Sequence, residues 1–127
     1  MFLDVKPEHI DELNHVNNVV YVRWVQDVAA NHWRNASTEE MKKQCTWVVL
    51  RHEIDYLAEA FLGDILELYT WINPASGPMQ ERMVLIRRKS DQKAIAKATT
   101  TWCLLDPVTG KPKRISLEIS AAMGLKD

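Results

Sequence analysis

The segment from Val19 to about Asn35 constrains the fold more than any other part of this chain. Its polar side chains recur at helical spacing on one narrow strip, namely Arg23, Gln26, Asp27, Asn31 and Arg34. Its first four residues have strand propensity, but the polar strip favours a helix. Because most of the other positions are apolar or small, such a helix has to be enclosed on most sides by other elements. We therefore predict a buried central helix.

The second half of the chain predicts an antiparallel sheet. Runs of strand-forming residues alternate there with turn signals rich in glycine, proline, asparagine and aspartate. The predicted strands are Cys45–Leu57, Ile65–Ile72, Met79–Lys89 and Ala94–Leu105. In the first of them, strict alternation predicts two faces. One face is predicted to carry Val48, Leu50, His52, Ile54 and Tyr56, and the other Arg51, Glu53 and Asp55.

The flanking segments complete an α+β prediction. Residues 1–10 predict a short strand that Pro7 limits to an edge, and residues 36–43 predict a polar connection. From Ser116 the chain predicts a final helical turn or two. One strand, one buried helix and four strands indicate a sheet of about five strands wrapped around one central helix. A length of 127 residues predicts a single domain, residues 1–127.

Charge and cysteine usage exclude several classes of protein. Sixteen basic and seventeen acidic residues give a net charge of −1, which leaves no basic footprint for nucleic acid or an anionic membrane. Cys45 and Cys103 are far apart and fit a reducing compartment, so we expect both to be packing residues. The first residues do not resemble a signal peptide, and no apolar run approaches the roughly 20 residues of a membrane span. We expect a soluble cytoplasmic protein.

Common catalytic signatures are absent from the sequence. It has no GxSxG, P-loop, GxGxxG or HExxH motif. The four histidines lack the spacing of a metal cluster, so no metal site and no cofactor are predicted. Five tryptophans indicate large apolar surfaces to bury, in part against a partner subunit.

Three stretches of the sequence form recognisable motifs. They are Asp11-x-x-x-His15-Val16-Asn17-Asn18-x-x-Tyr21-x-x-Trp24, then Arg51–Leu57 with Leu62-Gly63-Asp64, and last Trp102–Pro112. In this order, and over nearly the whole chain, they resemble the hot-dog-fold thioesterases. The resemblance is closest to the hydroxybenzoyl-CoA-thioesterase-like branch and to the plant acyl-carrier-protein thioesterases.

The resemblance implies a catalytic carboxylate at Asp11, which lies ten residues before Tyr21 as in the family. In the plant-type pattern a histidine follows this aspartate and a glutamate lies on the next strand. His15 and Glu53 match those two positions. Leu13 stands where that pattern has asparagine, which favours a simpler scheme centred on Asp11.

Thioester hydrolysis requires a base or nucleophile and a group that stabilises negative charge on the carbonyl oxygen. A carboxylate such as Asp11 can activate water or attack directly. If Asn17 caps the helix, the backbone amide of Asn18 is free to bind that oxygen, and the family's oxyanion amide falls at this position. Tyr21 is a candidate substrate contact. Coenzyme A phosphates would need cations, and Arg87-Arg88-Lys89 is the most concentrated basic group.

Each site residue also has a purely structural interpretation. Asp11 suits a turn, His15 suits a bridge between loop and helix, and the two asparagines suit helix caps. Glu53 suits a surface ion pair. Tyr21 and Trp24 can be interpreted as packing residues, and Arg87 and Arg88 as the solvated end of a strand.

The leading hypothesis is therefore an acyl-CoA thioesterase, with coenzyme A entering only as part of the substrate. The alternatives are an acyl-carrier-protein thioesterase and a non-catalytic acyl-CoA-binding hot-dog protein; we find no histidine and acidic motif of a hot-dog dehydratase. The resemblance also implies a homodimer with the site at the subunit interface, or a dimer of dimers. Edge strands and aromatic surface that need covering agree with such an assembly.

Overall fold

A computed structural model describes residues 1–124. Its strands are β1 (Phe2–Asp4), β2 (Thr46–Tyr56), β3 (Ile65–Ile72), β4 (Met79–Arg88) and β5 (Ala94–Leu105). Its helices are α1 (Asn18–Ala36), α2 (Glu39–Gln44) and α3 (Leu117–Ala122), with a short 3-10 turn at Pro7–His9.

The long helix α1 confirms the predicted central helix. It begins where the Asn17 side-chain oxygen accepts a hydrogen bond from the Val19 amide at 3.1 Å, which satisfies one of the unpaired amides of the first turn. It ends at Ser37, whose extended backbone leaves the helix. Its buried face packs on the sheet through Val20, Tyr21, Trp24, Val25, Val28 and Ala29.

All five strands form one antiparallel sheet in the order β1-β3-β4-β5-β2. The predicted α+β architecture is thus confirmed. The first strand is only three residues long, and Pro7 follows it. The other edge is β2, eleven residues long. The inner face of the sheet and α1 enclose the main apolar core, in which Leu66, Ile86 and Ile95 are almost fully buried.

One β-bulge changes the predicted faces of β2. The register with β5 shifts between Val49 and Arg51, so that Leu50 has no partner of its own and is 55% exposed. His52 and Ile54 still face the helix. The prediction that Val48 and Leu50 share this face is wrong, because the extra residue at the bulge exchanges the two sides of the strand.

Residues 36–43, predicted as a polar connection, contain the helix α2. The Thr38 hydroxyl accepts a hydrogen bond from the Met41 amide at 3.1 Å and begins the helix. Only Met41 of its six residues is buried, so no apolar period was present to reveal it. The predicted helical turn at the C-terminus is confirmed as α3, in which Ser116 is the cap. Residues 125–127 of that predicted tail lie outside the described residues.

No helix within residues 1–124 is long and apolar enough to cross a membrane.

His52 makes the stability of this fold depend on pH. Its Nδ1 lies 2.9 Å from the Thr100 hydroxyl, and burial lowers its pKa below the usual 6.5. Below about pH 6.5 the unfolded chain therefore binds more protons at this residue than the folded chain. We expect the free energy of unfolding to fall as the pH is lowered from 7.5 to 5.5, and to fall less in His52→Gln. Urea titrations at several pH values measure this, and equal slopes for both proteins would contradict it.

Candidate active site

A pocket of about 620 Å³ lies at the N-terminal end of α1. Its walls come from the loop before α1, the first turns of α1, the end of β2 with the following loop, and the ends of β4 and β5. The lining residues are His15, Val16, Asn18, Tyr21, Tyr56, Leu57, Ala58, Glu59, Phe61, Arg88 and Lys93. Three residues predicted for the site, His15, Asn18 and Tyr21, therefore share one wall.

The loop before α1 brings Asp11 and His15 together. An isolated bridge pairs Ile10 with Val16, and the Asp11 amide donates to the His15 carbonyl at 3.0 Å. The turn between them passes through Asn14, whose φ of 66° is a conformation that asparagine adopts more readily than most residues. As a result the Asp11 Oδ2 and His15 Nδ1 atoms lie 3.7 Å apart.

The two oxygens of the Asp11 carboxylate have different surroundings. Its Oδ1 accepts a hydrogen bond from the Leu13 amide at 2.9 Å, which fixes the side chain. Its Oδ2 faces His15, and the side chain remains 24% exposed. Asp11 does not line the pocket itself, so its charge acts there through His15.

His15 lies between two carboxylates. Its Nδ1 has two oxygen acceptors nearby, the Asp11 carboxylate and the Val16 carbonyl at 3.4 Å. This favours the tautomer with hydrogen on Nδ1, which leaves Nε2 free to take a proton. The Glu59 Oε1 lies 3.9 Å from that Nε2. Carboxylate oxygens thus lie near both nitrogens of the ring.

The start of α1 offers a free amide beside this histidine. The Val16 amide donates to the Ala60 carbonyl and the Asn17 amide to the His9 carbonyl, both at 2.9 Å. Within residues 1–124 the Asn18 amide has no acceptor. It stands at the positive end of the helix dipole, where an oxyanion is favoured.

Tyr21 contributes a buried phenol to the pocket wall. Its hydroxyl has no hydrogen-bond partner within residues 1–124, and burial raises its pKa to about 12. Its ring contacts Trp24 and Tyr56 edge to face, at centroid distances of 5.4 and 5.6 Å. The Tyr56 hydroxyl donates to the Asn18 carbonyl at 3.3 Å. Tyr21 thus combines the packing role and the position of a substrate contact.

The structure separates the two predicted phosphate-binding arginines. Arg88 lines the pocket, but its guanidinium is paired with Asp64 at 3.0 Å and Asp91 at 2.9 Å. Arg87 stacks over the Tyr69 ring, 5.4 Å from its centroid, on the outer face of the sheet. In the described part of the chain, Lys93 is the cation of this pocket that has no carboxylate within 4 Å.

Glu53 does not lie beside Asp11 and His15 in this chain. It is exposed on the outer face of β2 and pairs with Arg51 at 2.6 Å, as its surface interpretation expects. The acidic residue beside His15 is instead Glu59, in the loop after β2. Sequence reasoning missed Glu59 and Lys93, because both lie in polar segments without a motif.

We expect Glu59→Gln to lower kcat/KM for a thioester substrate about two- to fivefold, the usual worth of a half-exposed charge beside a histidine. Glu53→Gln is the matched control and should leave kcat/KM unchanged. Steady-state rates of the two variants, with melting temperatures to confirm folding, measure the difference. A defect in Glu53→Gln alone would contradict this assignment.

Two curated proteins match part of this chain. The chloroplastic palmitoyl-acyl carrier protein thioesterases of Arabidopsis thaliana and Gossypium hirsutum are 27% and 26% identical to this chain over 104 residues. The match covers 75% of this chain but only 25% of each of those proteins. The chain therefore spans about a quarter of the length of the curated relatives it matches.

Solved structures match the fold along almost the whole chain. The probable thioesterase YbaW from Escherichia coli has a TM-score of 0.86 at 21% identity, with 97% of this chain and 94% of that chain covered. A Thermus thermophilus thioesterase complexed with coenzyme A and Zn has a TM-score of 0.84 at 22% identity, covering 98% and 96%. The predicted hot-dog fold is confirmed.

Within residues 1–124 no group of three or more histidine, cysteine, aspartate or glutamate side chains is arranged to hold a metal ion.

The family model of the thioesterase-like superfamily matches residues 5–123. This chain belongs to the thioesterase-like superfamily.

Proposed function

We propose that this protein is an acyl-CoA thioesterase that hydrolyses its substrate to a free acid and coenzyme A. One observation carries the proposal: His15, whose ring lies 3.7 Å from the Asp11 carboxylate, lines the same pocket as Asn18, whose amide has no acceptor in the described residues. A base beside an oxyanion donor is what acyl transfer to water requires. Membership of the thioesterase-like superfamily supports the same reaction.

In the proposed reaction, His15 Nε2 takes a proton from water while the oxygen of that water attacks the thioester carbon. Asp11 stabilises the positive charge that forms on the ring, as a carboxylate does in other histidine-based hydrolases. The Asn18 amide donates to the carbonyl oxygen as it becomes an oxyanion. The carbon–sulfur bond then breaks, and His15 returns its proton to the leaving thiolate. Direct attack by Asp11 to give a mixed anhydride is the other route, and it requires the Asp11 side chain to turn into the pocket, which it does not line in this structure.

The proposed carrier is coenzyme A. The pocket offers Lys93 as an exposed cation without a carboxylate partner in the described residues, suited to one phosphate. A structurally similar Thermus thermophilus thioesterase is complexed with coenzyme A. The second candidate is an acyl-carrier-protein substrate, which the names of the two plant relatives favour.

We also propose a homodimer with the site near the subunit interface. The β2 strand is an eleven-residue sheet edge whose backbone groups are free to pair with a second copy. The pocket includes Tyr56 and Leu57 at the end of this strand, so a partner paired on β2 would lie beside it. Exposed Tyr69 and Trp71 on the outer face of the sheet would suit a dimer of dimers.

The carrier is tested by presenting one acyl group, for example palmitoyl, on coenzyme A and on acyl carrier protein. Thiol release is then measured at equal concentrations. We expect a higher kcat/KM for the coenzyme A ester, and a decrease specific to that ester in Lys93→Gln. A preference for the carrier-protein ester would favour the second candidate. Tight binding of acyl-CoA without thiol release would instead indicate a non-catalytic binding protein.

A further inference from the structure

A second pocket, of about 160 Å³, lies beside the C-terminal half of α1. It is walled by Ala29 and Ala30 of α1, by the inner face of the sheet and by Met123 after α3. Ala30 is twelve residues beyond Asn18, which places this pocket about 18 Å further along the helix axis. The reaction proposed above uses no residue of this pocket.

The pocket contains a buried arginine without a counter-ion. Arg82 is only 5% exposed. Its Nη1 lies 2.8 Å from His32 Nδ1 and 3.0 Å from the Thr70 hydroxyl, two uncharged partners. Burial and the nearby Arg82 charge both lower the pKa of His32, which keeps that ring neutral. Within residues 1–124 no carboxylate lies within 4 Å of Arg82.

An uncompensated buried cation is expensive in free energy, so its presence needs a reason. Burial lowers the pKa of Arg82 to about 10, which still leaves the guanidinium charged at neutral pH. An anion in the pocket would remove this cost. No acidic side chain of the described chain supplies one.

Other polar groups beside this pocket do not offer it a second charge. The indole N–H groups of Trp47 and Trp102, whose side chains line the pocket, are buried and have no partner within residues 1–124. Gln80 uses its amide N–H groups on the Asn73 carbonyl and the Ser120 hydroxyl. The Arg82 guanidinium is therefore the charged group that a ligand of this pocket would meet.

The rest of the lining suits a flat apolar body. Trp33 and Trp47 meet edge to face with their ring centroids 5.6 Å apart, and Ile72 adds an aliphatic wall. An apolar cavity of about 150 Å³ is large enough for benzene. A pocket of about 160 Å³ thus accommodates one aromatic ring with a small substituent.

We propose that this pocket is a binding site for a small aromatic carboxylate, held by Arg82. The ring lies among the tryptophans, and the carboxylate pairs with the guanidinium that has no counter-ion in the described chain. The proposal does not depend on thioester hydrolysis, because ligand binding is measured without turnover.

Benzoate is the probe for this site. Benzamide, which has nearly the same shape but no charge, is the control ligand. Binding is followed by tryptophan fluorescence, which three lining tryptophans make sensitive, and by calorimetry. We expect benzoate to bind at least tenfold more tightly than benzamide. Arg82→Gln should weaken benzoate binding about 10- to 100-fold, the usual effect of losing a hydrogen bond to a charged group. It should leave benzamide binding nearly unchanged.

Three further variants make the test decisive. Arg34→Gln removes the same charge from an exposed position of α1 and should bind benzoate as the wild type does. Trp102→Phe makes the aromatic wall of the pocket smaller, so it should weaken the binding of both benzoate and benzamide even if Arg82→Gln does not fold. Asn18→Pro alters only the first pocket and should bind normally. A defect in that variant would place benzoate in the wrong pocket and overturn the proposal.

Residues 125–127 lie close in sequence to Met123, which lines the pocket, and they include the acidic Asp127. A truncated chain therefore serves as a further control. A chain that ends at Gly124 should bind benzoate as the full chain does. Binding seen only after this truncation would overturn the proposal, because the anion would then come from the chain itself. Equal affinities for benzoate and benzamide, or no binding by the full chain, would also overturn it.

Discussion

Replacing Asp11 with asparagine is expected to lower kcat for thioester hydrolysis by about 10²- to 10⁴-fold, up to the effect seen when the aspartate behind a catalytic histidine is replaced by asparagine. Asparagine retains a side-chain oxygen that can accept the Leu13 hydrogen bond, so the turn should stay intact. What disappears is the negative charge 3.7 Å from His15 Nδ1. We therefore expect the substitution to lower the rate of hydrolysis and to leave the stability of the fold nearly unchanged. Thiol release under saturating acyl-CoA measures it.

The matched control for Asp11→Asn is Glu12→Gln, which removes an exposed charge from the neighbouring position. We expect Glu12→Gln to retain the wild-type rate and both variants to melt within a few degrees of the wild type. If Asp11→Asn hydrolyses thioesters as fast as the wild type, Asp11 is only a turn residue. The proposed mechanism would then be wrong.

The second large effect is expected from Asn18→Pro, which should lower kcat by about 10²- to 10³-fold, as the loss of other oxyanion donors does. Proline lacks the backbone N–H that we assign to the oxyanion. The substitution suits the structure, because Asn18 is the first residue of α1 and proline is favoured there. The preceding residue, Asn17, is already extended with φ −63° and ψ 133°, as a residue before proline prefers.

Asn18→Ala separates the amide from the side chain. It keeps the backbone N–H, so its rate should stay close to the wild-type rate. Equal losses in the alanine and proline variants would contradict the oxyanion assignment and would assign the effect to the asparagine side chain. Circular dichroism of both variants confirms that α1 still forms.

Most of the fold could be predicted because its signals are periodic. The thin polar strip of α1 and the turn-bounded runs of the last three strands are local patterns, and the bounds of β3 and β5 match their predictions. The bulge at Leu50 could not be predicted, because a bulge is a property of two paired strands and leaves no mark on one. The helix α2 has one buried residue and so no pattern to recognise.

The predicted site residues that lie together in the structure come from one continuous segment. Asp11, His15 and Asn18 lie within eight residues, and the loop closes on itself. Arg87 and Arg88 are neighbours in sequence, yet a strand sends adjacent side chains to opposite faces, so at most one can line the pocket. Glu59 and Lys93 join the pocket through tertiary packing alone. The burial of Arg82 could not be predicted, because a charged residue in a strand is ordinarily expected to face solvent.

The central claim is tested most directly by mixing the purified protein with a panel of acyl-CoA esters and measuring the free thiol and the free carboxylic acid together. The panel should extend from acetyl to palmitoyl and include benzoyl and phenylacetyl esters. Our account predicts equal amounts of thiol and acid from at least one ester, with turnover abolished in the Asp11→Asn/Asn18→Pro double variant. Stoichiometric binding with no thiol from any ester, or hydrolysis that persists in the double variant, would contradict it.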